Sequence, residues 1–322
     1  MEYRIFGKTG LKVSAVGFGA WAIGGNMWGP QDDNDSIAAL NKAIDLGVNF
    51  IDTAAVYGNG HSEQIIGKVL KQRQSKNEKI IIATKIPPLM WPPPPASHAK
   101  DAFPKNKIMD SVEQSLKNLQ IDCIDLIQLH SWRENWTADT DWHETLLELK
   151  KQGKIKYIGV SVHDNMEDEA LGLIETSRVD AIQVVYNVLS QSPQKRLFPK
   201  AIKHNIGIIA RVPLAYGALT GKFTENTTFP NNDFRSGKYS ASGLKDVLEK
   251  IEWYKKTINS NDKKILVSYA LHFALAHKAV SMAIPGVRNL KQAEENFTIF
   301  DNSKVSKEIL DNLNNSTVQK IY

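Results

Sequence analysis

Several features that define whole classes of protein are missing or rare in this 322-residue chain. It has one cysteine, Cys123, so no internal disulfide can form. The apolar run IDCIDLIQL around Cys123 predicts a small buried side chain rather than a reactive thiol. This cysteine usage fits a reducing compartment, and we expect a cytoplasmic protein. The N-terminal stretch MEYRIFGKTGLKVS lacks the apolar core of a secretory signal, and no apolar run is long enough to cross a bilayer.

Charge of one sign is only slightly in excess. The chain has 40 lysines and arginines against 35 aspartates and glutamates, a net charge of +5. The lysines are scattered among acids, without an arginine-rich stripe or a nucleic-acid motif, so we expect neither a nucleic-acid nor a membrane partner. A few cations could serve a small phosphate-bearing ligand. The histidines are too dispersed for a metal-dependent hydrolase, and we expect no metal.

Short apolar segments alternate with segments of helical periodicity along the chain. The apolar segments lie near 14–20, 48–54, 79–86, 123–130, 156–162, 181–187, 206–211 and 280–286. Helical patterns cover 35–47 and 107–120, and Gly47 is the expected left-handed cap of the first. Alternating strands and helices predict parallel pairing, and eight such units predict a closed (β/α)₈ TIM barrel. We expect a single domain over residues 1–322, because no linker divides the pattern.

Two polar or proline-rich stretches and one glycine motif stand out from this pattern. Residues 222–245 and 86–107 are predicted to be long loops on the functional rim of the barrel. The segment GFGAWA, residues 17–22, matches the dinucleotide-binding fingerprint G-x-G-x-x-A, which should open a helix directly. More glycines and a proline follow instead, and no helical pattern starts before about Asp35. The sequence therefore disfavours a Rossmann domain.

Four polar residues fall at or just past the ends of three consecutive predicted strands. Asp52 and Tyr57 follow the second strand, Lys85 ends the third, and His130 ends the fourth. Each could be structural taken alone, as a turn residue, a loop aromatic, a surface lysine or a core histidine. The carboxyl ends of barrel strands meet at one rim, where barrel enzymes place their chemistry. Together, the four therefore predict an active site.

The chemistry of these side chains favours proton donation by a tyrosine. A free phenol has a pKa of about 10, and a neighbouring ammonium such as that of Lys85 lowers it. Asp52 can hold Lys85 in place and keep it protonated. His130 can donate a hydrogen bond that orients a carbonyl oxygen. The set predicts a site that protonates an oxygen as hydride addition gives it negative charge.

The segments that carry these residues resemble the aldo-keto reductase superfamily, and more closely its bacterial and channel-β-subunit-like branches. DTAAVYGNGHSEQIIG is similar to the family signature D-T-A-x-x-Y-G-x-G-x-S-E-x-x-(L/I)-G, and ATK and LIQLH match its lysine and histidine segments. VGFGAW, GVS, QVVYN, PLAYGALTGK and IPGVRNLKQAEEN extend the likeness over nearly the whole chain. The resemblance implies reduction of aldehydes or ketones with NADP(H). It also implies Tyr57 as the acid, Asp52 and Lys85 as its tuning pair, and His130 as the positioning residue.

The resemblance also implies where the cofactor lies. The matching positions are Gly19, Ala20, Trp21, Asp52, Ser161, Gln183, Arg211, Pro213, Leu214, Gly217, Lys222, Pro285, Gly286, Arg288, Gln292, Glu295 and Asn296. Ser161 and Gln183 would hold the carboxamide, and Arg288 near a 2′-phosphate would favour NADPH over NADH. Two positions depart from the family pattern: Arg211 stands where an aromatic ring often stacks, and Val162 where asparagine is frequent.

Aromatic residues near the predicted strand ends suggest a largely apolar substrate pocket. The predicted substrate-binding set is Trp21, Trp28, Tyr57, Trp91, His130 and Trp132, with Trp136 as a further candidate. We expect a small aldehyde or ketone as the partner, and the oligomeric state stays open between monomer and homo-oligomer. Two alternatives remain: a Schiff-base aldolase using Lys85 as nucleophile, and a non-catalytic NADP(H)-binding regulatory subunit.

Overall fold

The computed structural model of the protein describes residues 1–25, 27–239, 241–302 and 305–315. Its strands are β1 Tyr3–Ile5, β2 Lys12–Ser14, β3 Phe18–Gly19, β4 Phe50–Asp52, β5 Ile81–Ile86, β6 Ile124–Leu129, β7 Ile155–Ser161, β8 Ala181–Val185, β9 Gly207–Arg211 and β10 Val280–Ile284. Strands β3 to β10 form one parallel sheet in chain order. Parallel bridges from Val16 to Ala283 and from Gly19 to Gly286 join its two edges into a barrel. The predicted eight-stranded barrel is confirmed.

Helices follow the strands and surround the barrel. They are α1 Asp33–Asp45, α2 His61–Arg73, α3 Ala99–Ala102, α4 Lys105–Leu119, α5 Asp141–Lys151, α6 Leu171–Glu175, α7 Leu197–Lys203, α8 Arg235–Lys238, α9 Ala241–Ile258, α10 Lys263–Ala276, α11 Leu290–Phe297, α12 Ile299–Asn302 and α13 Lys307–Asn314. Among the described residues, no helix is both long and apolar enough to cross a membrane.

Both faces of the barrel strands are buried, for different reasons. Every residue of β5 and of β6 is buried, as expected when helices cover the outer face and side chains fill the interior. The interior is one apolar cluster that includes Phe50, Leu126 and Met282 from separate strands. A second, larger cluster lies between the strands and the helices. The barrel is therefore a packed core and not a pore, and ligands are left to its rim.

An N-terminal hairpin that the sequence pattern did not predict closes the amino-terminal end of the barrel. Strands β1 and β2 pair antiparallel. Phe6, which follows β1, joins the interior cluster. The Phe6 ring lies over Gly207, where a Cβ would come within 2.4 Å of it, so the hairpin packs tightly against the start of β9. Its strands have three residues each, too short for a periodicity signal.

The first helix and the glycine motif behave as the sequence indicates. The Asp32 carboxylate accepts hydrogen bonds from the backbone N–H groups of Asn34 and Asp35 and caps α1. The helix ends at Asp45, and Gly47 follows with φ +92°, the predicted left-handed cap. The stretch 17–22 leads into a short 3₁₀ turn instead of a long helix, so it does not form a dinucleotide-binding turn.

The two predicted loops hold more helix than expected. The 86–107 loop includes α3 and the start of α4, and residues 222–245 contain α8 and the start of α9, while Ser240 lies outside the described residues. The Arg235 guanidinium explains part of this order: it bonds to Asp233 at 2.6 Å and lies 4.7 Å from the ring centres of both Trp28 and Phe229. The contact with Trp28 joins distant parts of the chain and leaves no periodic signal in a polar sequence.

Candidate active site

Lys85 is the centre of a buried polar cluster at the rim of the barrel. Its Nζ donates to Asp52 Oδ2 at 2.7 Å and to the carbonyl oxygen of Thr53 at 2.7 Å. The same Nζ lies 3.4 Å from the hydroxyl oxygen of Tyr57. The ring of His130 is 5.9 Å from that of Tyr57, centre to centre. The structure thus brings together all four residues that the sequence singled out.

The parallel register explains why these side chains meet. Gly19 pairs with Asp52 and Lys85 with Gln128, so the carboxyl-terminal ends of neighbouring strands stand side by side. Tyr57 sits in the turn between β4 and α2, where Gly58 takes φ +64°. A Cβ on Gly58 would come within 2.2 Å of the Gly24 carbonyl oxygen, so the turn that carries Tyr57 needs glycine there.

The Asp52 carboxylate is held by more than the lysine. Its Oδ1 accepts from the side-chain amides of Gln183 at 2.7 Å and Gln128 at 3.2 Å. Ser161 Oγ in turn lies 3.3 Å from Gln183 Oε1. Sequence reasoning missed Gln128, although a glutamine inside the apolar strand LIQL, two residues before His130, was a usable signal. Gln128, from the strand beside Lys85, and Gln183, from β8, thus hold the Asp52 oxygen that Lys85 does not contact.

Burial and neighbouring charges set the protonation states of the cluster. Although burial alone would lower the pKa of Lys85, the Asp52 carboxylate and the Tyr57 oxygen raise it above its usual value. Burial raises the pKa of Tyr57, and the Lys85 charge opposes this rise without cancelling it. Burial, then the charges of Lys85, Arg211 and His163, lowers the pKa of His130 well below its usual range. At neutral pH the cluster therefore holds an ammonium, a phenol and a neutral imidazole.

The pKa of Tyr57 corrects one expectation. The sequence suggested that Lys85 would make the phenol more acidic than usual, and the net shift goes the other way. The reason is burial: Tyr57 is 8% exposed, and removal of water disfavours the phenolate more than Lys85 favours it.

Aromatic side chains form the walls of a cavity of about 930 Å³ above the cluster. Trp21 stacks on Tyr57 with ring centres 5.9 Å apart and meets Trp28 edge-on at 5.3 Å. Trp91 is 53% exposed, on the 86–107 loop, and its ring centre lies 5.0 Å from that of His130. These tryptophans line the cavity together with Tyr57 and His130.

Trp132 is the exception, and its predicted place in the substrate pocket is wrong. It is fully buried in the layer between strands and helices. Its ring centre lies 5.8 Å from that of Trp136 and 5.2 Å from that of Trp142. Trp136 is buried with it. Both side chains therefore pack in the layer outside the barrel strands, and neither is among the residues that line the cavity.

The cavity continues across the barrel mouth to the residues that the resemblance assigned to a cofactor. Those that line it are Gly19, Ala20, Trp21, Asp52, Ser161, Gln183, Arg211, Pro213, Leu214, Gly217, Lys222, Gly286, Arg288, Gln292, Glu295 and Asn296. Pro285 lies behind this wall, where its carbonyl oxygen accepts a hydrogen bond from Gly19 N at 3.0 Å. A Cβ on Gly19 would come within 2.8 Å of that oxygen, so the close approach of the two segments requires glycine.

Cations gather at one end of the cavity. Burial lowers the pKa of Lys222, and the charges of Arg235, Lys263 and Arg288 lower it further. Within the described part of the chain, Lys222 has no ion pair or side-chain hydrogen bond. Arg288 donates to Gln31 Oε1 at 2.7 Å and to the carbonyl oxygen of Pro30. Mutually repelling cations beside a cavity suit an anionic ligand, and the phosphates of a nicotinamide dinucleotide fit this end.

Arg211 is fixed in a network that sequence reasoning did not foresee. Its guanidinium donates to Asp164 Oδ1 at 2.6 Å and to the carbonyl oxygen of Val162 at 2.9 Å. The Tyr216 hydroxyl donates to Asp164 Oδ2 at 2.9 Å. Burial would raise the pKa of Asp164, and the Arg211 charge outweighs it, leaving a pKa of about 2. Arg211 therefore stands at the cavity wall as a partly neutralised cation.

Comparison with known proteins agrees with this geometry. The model of the aldo/keto reductase family matches residues 15–316. The chain belongs to the aldo/keto reductase family. The predicted family is thus confirmed. As an aldo/keto reductase it is an oxidoreductase, from a family that typically uses NAD(P)H and acts on small carbonyl compounds.

Three proteins similar to this chain carry different descriptions. The aldo-keto reductase YhdN of Bacillus subtilis is 35% identical over 298 residues, covering 91% of this chain and 87% of that protein. A probable voltage-gated potassium channel subunit beta of Arabidopsis thaliana is 30% identical, covering 94% and 92%. The solved glycerol dehydrogenase of Gluconobacter oxydans has a TM-score of 0.76 at 30% identity, covering 94% and 92%. The bacterial and channel-subunit-like likeness expected from the sequence is confirmed.

Proposed function

We propose that this aldo/keto reductase reduces aldehyde or ketone carbonyls to alcohols with NADP(H), and that Tyr57 donates the proton. One observation carries the proposal. The Lys85 ammonium is buried 2.7 Å from Asp52 and 3.4 Å from the Tyr57 hydroxyl, at the base of a cavity lined with aromatic rings. Such a cluster stabilises negative charge on the tyrosine oxygen, which is what a phenol needs after giving up its proton.

The raised pKa of Tyr57 decides what Tyr57 and Lys85 each contribute to proton transfer. At neutral pH the phenol keeps its proton and is a donor throughout. As a carbonyl oxygen gains negative charge, the proton passes from the Tyr57 hydroxyl to that oxygen. The Lys85 ammonium then stabilises the phenolate, and Asp52 keeps the ammonium in place. Lys85 thus acts on the state after transfer more than on the resting phenol.

His130 supports the same reaction as a neutral imidazole. It lines the cavity beside Tyr57, and its lowered pKa leaves it uncharged at neutral pH. A neutral imidazole can donate one N–H to a carbonyl oxygen and orient it towards the Tyr57 hydroxyl. Because it is not charged, it does not compete with Tyr57 as the proton source.

The remaining cavity residues fit a nicotinamide dinucleotide. When bound, this cofactor supplies the hydride to the carbonyl carbon. Lys222 and Arg288 provide positive charge for its phosphates, and we assign the 2′-phosphate of NADPH to Arg288. Ser161 and Gln183 line the other end of the cavity next to Asp52, and we assign the carboxamide to them.

The test compares the wild type with Tyr57→Phe in NADPH fluorescence titrations and in an aldehyde and ketone panel. We expect unchanged NADPH affinity and a loss of about 100- to 10,000-fold in carbonyl reduction, the usual contribution of a general acid. Tyr216→Phe is the matched control, because it also removes a buried phenol that lines the cavity. Undiminished reduction by Tyr57→Phe would remove Tyr57 from its role.

A second arm tests the cofactor assignment. Arg288→Ala should weaken NADPH binding by roughly 10- to 100-fold and NADH binding far less, since a charge-assisted pair to the 2′-phosphate is lost only with NADPH. The comparison variant is Lys222→Ala, which removes a cation from the same end of the cavity and should weaken both nucleotides alike. An equal loss for both nucleotides in Arg288→Ala would contradict the 2′-phosphate assignment.

The aldolase alternative fits the site less well. A Schiff-base lysine must lose its proton to attack a carbonyl, whereas Lys85 is fully buried, ion-paired and has a raised pKa. The non-catalytic alternative predicts cofactor binding without turnover over the whole panel. The cytoplasmic location and the oligomeric state remain predictions.

A further inference from the structure

Arg133 is a cavity residue that the proposed mechanism does not use. It lies three residues after His130 and lines the same cavity, together with Trp91, His163 and Met166. It is 8% exposed, so its charge is largely removed from water. A buried guanidinium is costly unless its donors are matched by acceptors or by a counter-charge.

The partners of Arg133 do not meet that need. Its Nη2 donates to the carbonyl oxygen of Pro93 at 2.8 Å, which accounts for one strong hydrogen bond. Its Nη1 has the Met166 sulfur at 3.4 Å, a weak acceptor, and Glu169 Oε1 at 3.8 Å. Its Nε is buried with no hydrogen-bond partner in the described part of the chain. A role as a tether for the 86–107 loop explains the bond to Pro93 and none of the other donors.

Glu169 is a poor counter-ion for Arg133 because it has another partner. Its Oε2 accepts from the backbone N–H of Glu134 at 2.6 Å, at the start of the 3₁₀ turn Glu134–Ala138. That bond holds the carboxylate away from Arg133, and the remaining 3.8 Å gap is too long for a hydrogen bond. Arg133 is therefore close to a carboxylate without forming the two-point pair that guanidinium groups make with carboxylates.

We propose that Arg133 binds a carboxylate carried by the substrate, so that the substrates are small aldehydes or ketones bearing a carboxylate group. This inference rests on the proposed carbonyl reduction. The Trp91 ring lies 5.0 Å from that of His130 and 5.1 Å from that of His163, and these rings line the same cavity as Arg133 and suit the apolar part of such a molecule. Burial and the charges of Arg211 and Arg133 lower the pKa of His163, so this wall adds no competing cation at neutral pH.

The substrate test uses succinic semialdehyde and 4-carboxybenzaldehyde, each against its methyl ester, with NADPH present. The wild type should favour each acid over its ester in kcat/KM. Arg133→Gln should reduce that preference by about 10- to 100-fold, mainly through KM, because the charge-assisted pair contributes to binding. Arg133→Lys should retain part of the preference, since it keeps the charge and loses the two-point geometry.

A second variant keeps the test decisive if Arg133→Gln folds poorly. Glu169→Gln removes the competing negative charge, and its amide oxygen can still accept from Glu134 N. It should raise the affinity for the acids and leave turnover of the esters unchanged. A separate measurement needs no turnover. It follows the tryptophan fluorescence of the NADPH complex during titration with 4-(hydroxymethyl)benzoate and with its methyl ester.

The outcomes separate this inference from the proposed function. The role of Arg133 would be overturned if the wild type used acids and esters equally. It would also be overturned if neither Arg133→Gln nor Glu169→Gln changed the preference for acids. Either result would leave carbonyl reduction standing. Arg133-dependent binding of 4-(hydroxymethyl)benzoate without reduction of any aldehyde would support the anion site and defeat the proposed function.

Discussion

The Lys85–Asp52 pair allows stability and chemistry to be separated by substitution. Lys85→Met keeps an unbranched side chain of similar length at a fully buried position and removes the charge. At an effective dielectric constant of about 20, charges 3.4 Å apart interact by about 5 kcal/mol, which is the support that a Tyr57 phenolate would lose. The opposing charge of Asp52 reduces this figure. A net loss of about 2 to 4 kcal/mol corresponds to a fall of roughly 30- to 900-fold in kcat/KM for carbonyl reduction.

The same substitution leaves the buried Asp52 carboxylate without its counter-ion. Removal of one partner from a buried ion pair costs about 3 to 5 kcal/mol, and the two glutamine amides on Asp52 Oδ1 moderate that cost. Urea unfolding should therefore show a lower midpoint for Lys85→Met. The double variant Lys85→Met/Asp52→Asn removes the stranded charge, so its midpoint should recover while its reduction rate stays low.

The two assays together make the reasoning refutable. NADPH oxidation with a reactive aldehyde measures the rate, and urea unfolding followed by tryptophan fluorescence measures the stability. Turnover by Lys85→Met close to that of the wild type would show that the ammonium does not stabilise a phenolate. Recovery of both rate and stability in the double variant would show that the slow rate came from misfolding.

Two other outcomes follow from burial. Because the protonated phenol is the active form and the pKa of Tyr57 is raised, reductive kcat/KM should stay level as pH rises through neutrality and fall only above about pH 10. A decline between pH 7 and 8 would contradict this, and the lowered pKa of His130 predicts no change near pH 6.5. Trp132→Ala should cost about 3 to 5 kcal/mol in urea unfolding, whereas Trp91→Ala should cost little and change KM. The reverse pattern would restore Trp132 to the pocket.

The barrel and the four central residues could be predicted from the sequence because both depend on local pattern. Each predicted strand ends near its last apolar residue, and in a parallel barrel these strand ends meet at one rim. Asp52, Lys85 and His130 are therefore found by counting along their own strands. The glycine turn that holds Tyr57 is equally local.

What the sequence hid depends on long-range packing. Gln128 stands out as a polar residue in an apolar strand, but only the fold shows that its side-chain amide donates to Asp52, two strands away. Nothing near Arg133 shows that Glu169, about 35 residues away, is held by another bond. The sign of the Tyr57 pKa shift and the burial of Trp132 depend on the amount of water that the folded chain excludes, which no motif encodes.

The hairpin at the amino-terminal end of the barrel has a consequence for how ligands reach the cavity. Because Phe6 and its neighbours cover the amino-terminal end, the cavity among the described residues opens at the opposite rim, where both the dinucleotide and the carbonyl compound of the proposed reaction would enter. Two reactants that use this one opening would have to enter and leave it one at a time. The rate of turnover would then depend on how fast the oxidised dinucleotide leaves the cavity. Tighter binding by Lys222 and Arg288 would hold the dinucleotide better and slow its release.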